Sequence, residues 1–361
     1  MSELSAKAGT DAFDTGVSPR YAAAVRATRA APDRTAMGQA RLDELVRLAT
    51  LAPNSHNSQP WTFQVLGPDR LMIRPDPTRR CPVIDPDDHH LFLSLGCAAE
   101  TLAIAATGYG MDASLSWREN PDDLPCAEVT LKDTGCAVSP LIHAIRYRQS
   151  TRSLYDGGLL SAEQRHALRK AAEGGTATFH LVEDAETKTR IRDLIIAANT
   201  AQLRDRDFVH ELRDWIRFSE TSALQSCDGL FARATGSPTL PDWIGRLIFP
   251  LVLRPATESR KIASQIASSA ALAVFVSRDN TPKNWFQTGR AFQRVALVAT
   301  KHGLKHAHLN QPVERSEYHS DLGRVVGARD GRPSLVIRLG KAMDMPYSLR
   351  RDPHSVLDTS G

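Results

Sequence analysis

The sequence predicts an α+β protein built from two fused copies of one helix-and-strand pattern. Three observations predict it. The chain has 361 residues, enough for two modules or one duplicated domain. Two long helix candidates, residues 90–108 and 284–303, stand at matching places in the two halves, each rich in small residues and ending on glycine. Short apolar runs that read as strands surround them.

Residues 1–36 are polar and alanine-rich and are expected to form a weakly ordered arm. A helix follows over residues 38–51, with Leu42, Leu45, Val46 and Ala49 on one face. Ala52-Pro53-Asn54-Ser55 stops it. Residues 61–66 and 70–74 are strands around Gly67-Pro68-Asp69, and the helix over 90–108 is apolar nearly all round, so it belongs at a domain centre or interface. Residues 127–131 add a strand. The order then repeats. Ser161 caps a helix with Glu163 and Gln164 in its first turn, followed by a strand at 178–182 and a helix at 188–203. Strands at 271–276 and 334–339 flank the 284–303 helix. The expected division is an arm over 1–36, one half over 37–136 and a second over 137–361. Residues 204–260 fit neither copy: a charged helical run leads to a Gly/Pro-rich stretch and an apolar turn at 244–255. They form either a lid or a structural excursion over the sheet.

Composition excludes several classes. The 45 Lys+Arg and 41 Asp+Glu leave a net charge of +4, and the basic residues are dispersed, so no nucleic-acid partner is expected. The longest uncharged stretch, residues 262–277, has 16 residues, against the roughly 20 mainly apolar ones that a bilayer span needs. The polar N-terminus lacks the apolar region of a secretory signal. A soluble cytoplasmic protein without a membrane partner is the expectation. Five cysteines without a C-x-x-C pair suggest neither a disulfide framework nor zinc. His89-His90 head a helix without a third ligand at metal spacing and are expected to be exposed, so no metal site is assigned. Gly108-Tyr109-Gly110 is no dinucleotide loop.

Two segments carry chemistry. Residues 52–61, Ala-Pro-Asn-Ser-His-Asn-Ser-Gln-Pro-Trp, place small polar side chains and a histidine between stiffening prolines. Such a loop can hydrogen-bond a planar heterocycle, and it would equally make a well-formed Asn/Ser turn. Arg146-Tyr147-Arg148-Gln149-Ser150-Thr151-Arg152 offers guanidinium forks and a hydroxyl that suit a phosphate. On a helix, Arg148 and Arg152 would share a face; the alternative is a solvated basic turn.

Together these segments resemble the FMN-dependent nitroreductase family. Arg148-Gln149-Ser150-Thr151-Arg152 matches its R-x-S-x-R/K segment, and Pro53 to Trp61 matches its P-S-x-x-N-x-Q-P-W, with Asn54 for the first serine. The likeness spans roughly residues 40–351. In the family the arginines come first and the loop follows about 25 residues later; here the order is reversed. Ala171-Ala172-Glu173-Gly174-Gly175 stands where the second half would carry the loop, and Arg26 to Arg34 does not supply the arginines in the first. Each half lacks what the other keeps. This pattern resembles the Acg-type branch, in which one chain mimics the family homodimer and holds a single FMN.

The resemblance implies roles. Arg148 and Ser150 would meet the FMN phosphate and ribityl chain, and Arg152 would sit near N1 and the C2 carbonyl. Pro53, Asn54, Ser55 and Asn57 would line the ring. Leu309, Asn310 and Gln311, in His308-Leu309-Asn310-Gln311-Pro312, would present donors to N5 and O4. His302, His306 and His308 have spacings that could suit a metal, but they fall where the flavin should lie. Arg350 and Arg351 would return to the phosphate, or form an exposed terminal pair. The implied function is NAD(P)H-dependent reduction of a small nitroaromatic or quinone-like acceptor, by a monomer or weak dimer with NADH or NADPH as donor. The flavin carries the chemistry, and no catalytic side chain is assigned. The alternatives are a flavin-sequestering stress protein with a closed lid, or a flavin-free interaction module.

Overall fold

A computed structural model of the chain describes residue 13 and residues 15–120, 123–328 and 330–358. Helix α1 (Pro19–Thr28) begins on Ser18, whose hydroxyl accepts the Tyr21 N–H, with proline in its first turn. Tyr21, Ala22 and Val25 are spaced to share one face and are buried there. Part of the arm is therefore packed helix, not the weakly ordered segment its composition suggested. Residues 1–12 and 14 of that expectation lie outside the described residues.

Helix α2 (Gly38–Ala49) buries Leu42, Leu45, Val46, Leu48 and Ala49. Strands β1 (Trp61–Gly67) and β2 (Arg70–Pro75) form an antiparallel pair, followed by α3 (His89–Ala106), β3 (Met111–Asn120) and β4 (Asp123–Asp133). A short helix, α4 (Ile142–Tyr147), leads to α5 (Ala162–Ala172), opened by a reciprocal capping box between Ser161 and Gln164. Next come β5 (Ala177–Val182) and α6 (Ala185–Arg204).

The segment without a counterpart contains α7 (Arg206–Asp214), β6 (Ile216–Arg217), α8 (Glu220–Ser226), β7 (Leu230–Phe231) and α9 (Asp242–Val252). The apolar stretch read as a turn is thus mostly helix, with Pro250 tolerated near its end. After α10 (Pro255–Ala267) come β8 (Ala271–Ser277), α11 (Pro282–Lys301), β9 (Lys305–His308) and α12 (Gln311–Glu314). The chain closes through α13 (His319–Val325), β10 (Arg332–Gly340), α14 (Pro353–Val356) and β11 (Leu357–Asp358).

The larger sheet runs β11-β1-β2-β4-β3 and the smaller β5-β8-β10-β9; β6 and β7 pair separately. All pairings within the two main sheets are antiparallel except β1 with β11, where the C-terminal segment adds an edge strand to the first-half sheet. The architecture is α+β.

Helices α3 and α11 pack against each other at the centre. A Cβ on Gly96 would lie 1.9 Å from the Phe286 carbonyl oxygen, and one on Gly289 equally close to that of Leu93. Only glycine permits this approach. Polar ties flank the crossing: Gln293 Nε2 donates to Thr101 Oγ1 at 2.8 Å, and Arg290 and Arg294 engage Glu100 at 2.8 and 3.1 Å. Helix α3 with its following turn is long and apolar enough to cross a membrane, yet it is mostly buried as the core helix. That burial explains why it is hydrophobic nearly all round.

Candidate functional site

A cavity of about 330 Å³ is lined by the loop after α2, the strand of residues 148–152 and the segment after β9, and it continues into a smaller one of about 70 Å³. Pro53, Asn54, His56, Arg152 and His308 line both, so the two are compartments of one cleft. Arg148, Ser150, Asn57 and Arg350 border the inner compartment, while Ser55, Leu309, Asn310 and Gln311 border the outer one. The structure therefore brings eleven of the twelve residues singled out from sequence to one cleft. Arg351 is the one left outside it: its Nη1 donates to the Gln59 carbonyl at 3.3 Å and lies 3.6 Å from Asp76.

Arg148 and Arg152 do not share a helix face. Helix α4 ends at Tyr147, Arg148 is extended, and Ser150 pairs with His306 in a parallel bridge. An extended chain alternates sides with period two, which sends Arg148, Ser150 and Arg152 toward the cleft. Thr151 borders neither compartment; Gln149 also borders the inner one, with its Oε1 accepting from Met345 N and from Thr151 Oγ1, at 2.9 Å each. The Thr151 N–H donates to the His306 carbonyl at 2.8 Å, fixing this strand against β9.

The loop opposite is held by its own side chains. Asn54 Oδ1 accepts the Gln59 N–H at 2.9 Å. Asn57 Nδ2 donates to the carbonyls of Gly229 and Leu349, both at 3.1 Å, while its Oδ1 accepts from Arg350 at 2.8 Å. His56, Asn57 and Gln59 all have positive φ, near 50°, a conformation that costs non-glycine residues about 1–3 kcal/mol each. These bonds hold them there. Asn57 thus fastens the loop and has no amide hydrogen free in this arrangement.

Sequence reasoning missed several residues of the cleft. Arg29, just beyond α1, borders the inner compartment, stacks 4.5 Å over the Tyr347 ring and donates to the Arg146 carbonyl at 2.6 Å. Arg338 on β10 borders the outer compartment and sits 3.9 Å over the Tyr155 ring. A lone arginine in the apolar run Ser-Leu-Val-Ile-Arg-Leu was the signal for it. His90, expected to be exposed, is buried at the head of α3 and also borders the outer compartment. The first turn of α3 packs inward, so His89 is buried too, edge-on to Trp285.

Asp85, His89 and His90 bring ligand-type atoms within 4.8 Å of one another. Hydrogen bonding accounts for the grouping. Asp85 accepts the backbone N–H groups of His90 and Leu91 at 2.9 Å each, capping α3, and its Oδ1 lies 3.4 Å from His90 Nδ1. A helix N-terminus disfavours a cation. On its far side, His90 Nε2 lies 3.2 Å from Asn310 Nδ2, and Asn310 Oδ1 accepts the Val336 N–H at 3.0 Å.

The electrostatics of the inner end are one-sided. Arg29, Arg148, Arg152 and Arg350 border it, Arg338 borders the outer compartment, and none of the five forms an ion pair with a carboxylate among the described residues. Burial and the neighbouring Arg29 push the Arg148 guanidinium down to about 9. Burial, with Arg152 and other cations close by, holds His56 and His308 at about 3, so both are neutral at physiological pH. Arg148 donates from Nη2 to the Leu51 carbonyl at 3.0 Å, but its buried Nε and Nη1 have no partner. Buried donors are normally satisfied, and a buried cation normally has a counter-charge. An anionic group with several acceptor oxygens would supply both.

No protein-family model matches the chain. A Mycobacterium tuberculosis (strain H37Rv) protein provisionally named as an NAD(P)H nitroreductase, Rv3131, is 25% identical over 338 residues, covering 87% of this chain and 90% of that protein. Over most of its length the chain is thus similar to a protein named as a nitroreductase. A second protein of the same strain, the uncharacterized Rv3127, is 25% identical over 331 residues, covering 88% of this chain and 92% of its own. Among solved structures, a protein from Anabaena variabilis, provisionally named as a nitroreductase, aligns with a TM-score of 0.45 and 10% identity. It covers 83% of this chain and 87% of that one. Iodotyrosine deiodinase bound to FMN and 3-iodo-L-tyrosine aligns at 0.38 and 14%, over 58% of this chain and 94% of that one.

Proposed function

We propose that this chain is an FMN-dependent oxidoreductase that takes electrons from NADH or NADPH and reduces nitroaromatic or quinone-like acceptors. The observation that carries this reading is the pair of buried, unpartnered Arg148 donors, in a ring of guanidiniums without carboxylate partners. A phosphate dianion fits that donor set, because it offers oxygens to the fork and charge to the ring of cations. The full-length relative named as an NAD(P)H nitroreductase supports the same reading.

FMN, when bound, supplies the hydride-accepting and hydride-donating chemistry. The chain's own residues bind and orient. Arg148 and Ser150 hold the phosphate and ribityl chain, and Arg152 favours negative charge that develops beside it. Pro53, Asn54 and Ser55 border the ring from the first half, and Leu309, Asn310 and Gln311 from the second. Arg350 acts behind them by fixing the loop. Phe208, Phe249 and Leu253, from residues 204–260, wall the outer compartment and restrict water and substrate. Residues 37–136 and 137–361 act as the two subunits of a dimer fused in one cytoplasmic chain, a monomer or weak dimer, with residues 204–260 as its lid. The roofed cleft also suits a second reading, a flavin-sequestering protein with little turnover.

The test is the absorbance spectrum of the purified protein, with FMN released by heat and quantified. One FMN per chain is the expected ratio, because the loop of residues 53–61 and the arginines 148–152 meet only once. Protein that stays colourless after incubation with FMN refutes the cofactor, and a ratio near two refutes the single site. Steady-state NAD(P)H oxidation separates the oxidoreductase from the sequestering protein.

A further inference from the structure

Helix α9 has two faces. Inward, Gly245 and Phe249 are buried, Phe249 meets Phe218 edge-on at 5.9 Å, and Phe249 with the following Leu253 walls the outer compartment. Outward, Trp243, Leu247, Leu251 and Val252 are 70%, 66%, 68% and 59% exposed. Positions 243, 247 and 251 are four apart, so they form one line along the helix. A single exposed leucine is ordinary, but a contiguous line of Trp and Leu on a charged protein calls for a partner surface.

The surrounding charge selects that partner. Residues 233–261 carry Arg233, Arg246, Arg254, Arg260 and Lys261 against Asp242 and Glu258; Arg246 pairs with Asp214 at 3.1 Å and Lys261 lies 3.9 Å from Glu258. Arg254 and Arg260 are exposed and form no ion pair among the described residues, so they remain for an anionic partner. A second copy docked by two-fold symmetry would set these basic residues against themselves. An anionic lipid surface would instead receive the Trp/Leu line at the acyl boundary and the arginines among its headgroups.

We propose that α9 is an interfacial anchor that docks this chain flat on anionic membranes. This departs from the expectation of no membrane partner, which rested on the lack of a spanning segment; a helix lying in the interface needs none. The outer line enters the lipid boundary while the inner face stays over the cleft. The helix that walls the outer compartment is thereby laid on the bilayer. Docking requires no bound flavin.

Co-sedimentation of the full chain with phosphatidylcholine vesicles, with and without 30% phosphatidylglycerol, tests this. Binding is expected to the anionic vesicles, to weaken in 0.5 M salt and to fall at least about tenfold in Leu247→Gln/Leu251→Gln. Arg254→Gln/Arg260→Gln is expected to lose binding to anionic vesicles with its far-UV circular dichroism unchanged. Independently of any loss of fold in the leucine variant, wild-type tryptophan emission should shift blue on vesicle addition, and the shift should vanish in Trp243→Phe. Absence of binding to anionic vesicles overturns the proposal. So does a dimer in solution that the leucine variant dissociates while vesicle binding is unchanged.

Discussion

The strand of residues 148–152 and the tail of residues 347–351 both bring arginines to the cleft region, and they treat them in opposite ways. Arg350 spends its guanidinium on the protein: Nε donates to the Thr50 carbonyl at 2.6 Å, Nη1 to Asn57 and the Leu349 carbonyl, and Nη2 to the Ala52 carbonyl at 3.2 Å. Arg148 spends one nitrogen and keeps two buried donors without partners. The same side chain is a rivet in one place and a waiting receptor in the other. What separates them is the backbone nearby. The turn after α2 presents several outward carbonyls to Arg350, whereas the extended strand around Arg148 has satisfied its own groups against β9.

Arg350→Ala should break this comparison with the largest effect. It removes the donor from several buried carbonyls and from Asn57, so a loss of about 3–5 kcal/mol is expected in urea unfolding of the FMN-free protein. FMN affinity should fall as a consequence of the loosened loop. A variant as stable as wild type would show that the tail is not a tie.

Acid should attack the strand's side of the comparison next. His306 lies beside the 148–152 strand, fully buried, with both ring nitrogens unpartnered. Burial, then the Arg148 charge, holds it well below its ordinary value, and burial does the same to His89. With the folded value depressed, the unfolded chain takes up the proton first. Stability is therefore complete above about pH 6.5 and lost as pH falls below it. Each histidine contributes about 1.4 kcal/mol per pH unit in that window. His90 acts in the opposite sense: burial opposes its charge, but Asp85 outweighs it and raises the value. Its contribution is present below about pH 6.5 and is lost as pH rises through its folded value. His56 and His308, held at about 3 by burial and Arg152, act in the same sense as His306 and His89, so the expected net loss between pH 7.5 and 5.5 is about 4–5 kcal/mol, and His306→Gln should flatten the profile. An unchanged urea midpoint at pH 5.5 would exclude this account.

Arg148→Ala should separate binding from folding. A charge-assisted phosphate contact is worth about 1.5–3 kcal/mol, so FMN should bind roughly 10- to 150-fold more weakly. The FMN-free protein should lose little stability, because the variant also removes a buried cation that the fold leaves without a counter-charge. Arg34→Ala, on an exposed turn, serves as the matched control. Equal affinities in the two variants would remove the reason for assigning Arg148 to a phosphate.

The residues that sequence reasoning found and those it missed differ in how they reach the cleft. Pro53 to Asn57 and Arg148 to Arg152 act as contiguous segments, so their spacing alone made them legible. Arg29 and His90 reach the cleft by tertiary packing: one sits behind the Tyr347 ring, the other at a helix head that turns inward. No local pattern announces either. The period-two projection of Arg148 and Arg152 depended on whether α4 would extend past Tyr147, and the composition of residues 146–152 suits a helix or an extended strand. The long helices were legible from length and small residues. Their closest approach, at Gly96 and Gly289, needed both chains of the crossing in view. For residues 243–252 the apolar periodicity was present in the sequence, but an amphipathic pattern does not say which face meets solvent. That face is inverted here, with Trp243 and Leu247 outside.

The smallest effect should come from Arg351→Ala, and it sharpens the comparison most economically. Arg351 follows Arg350 directly, and the resemblance offered both for the phosphate. Yet its side chain turns away: Nη1 reaches the Gln59 carbonyl at 3.3 Å and Asp76 at 3.6 Å, and Nη2 the Ser355 carbonyl at 3.4 Å. These bonds are long and single, and the side chain is only partly buried. Removing it should therefore cost less than about 1 kcal/mol, the range of a partly solvated ion pair. Its backbone N–H, which donates to Gln59 Oε1 at 2.9 Å, survives the substitution and keeps the tail on the loop. FMN affinity should stay within about twofold of wild type, since a twofold change is only about 0.4 kcal/mol. Isothermal titration of FMN into the Arg350→Ala, Arg148→Ala and Arg351→Ala proteins, beside their urea midpoints, places each arginine on two axes. Arg350 should move on both, Arg148 on affinity alone, and Arg351 on neither. If Arg351→Ala lost affinity as Arg148→Ala does, the tail would have to swing from its observed position to meet the phosphate, and the division between rivet and receptor would fail at that residue.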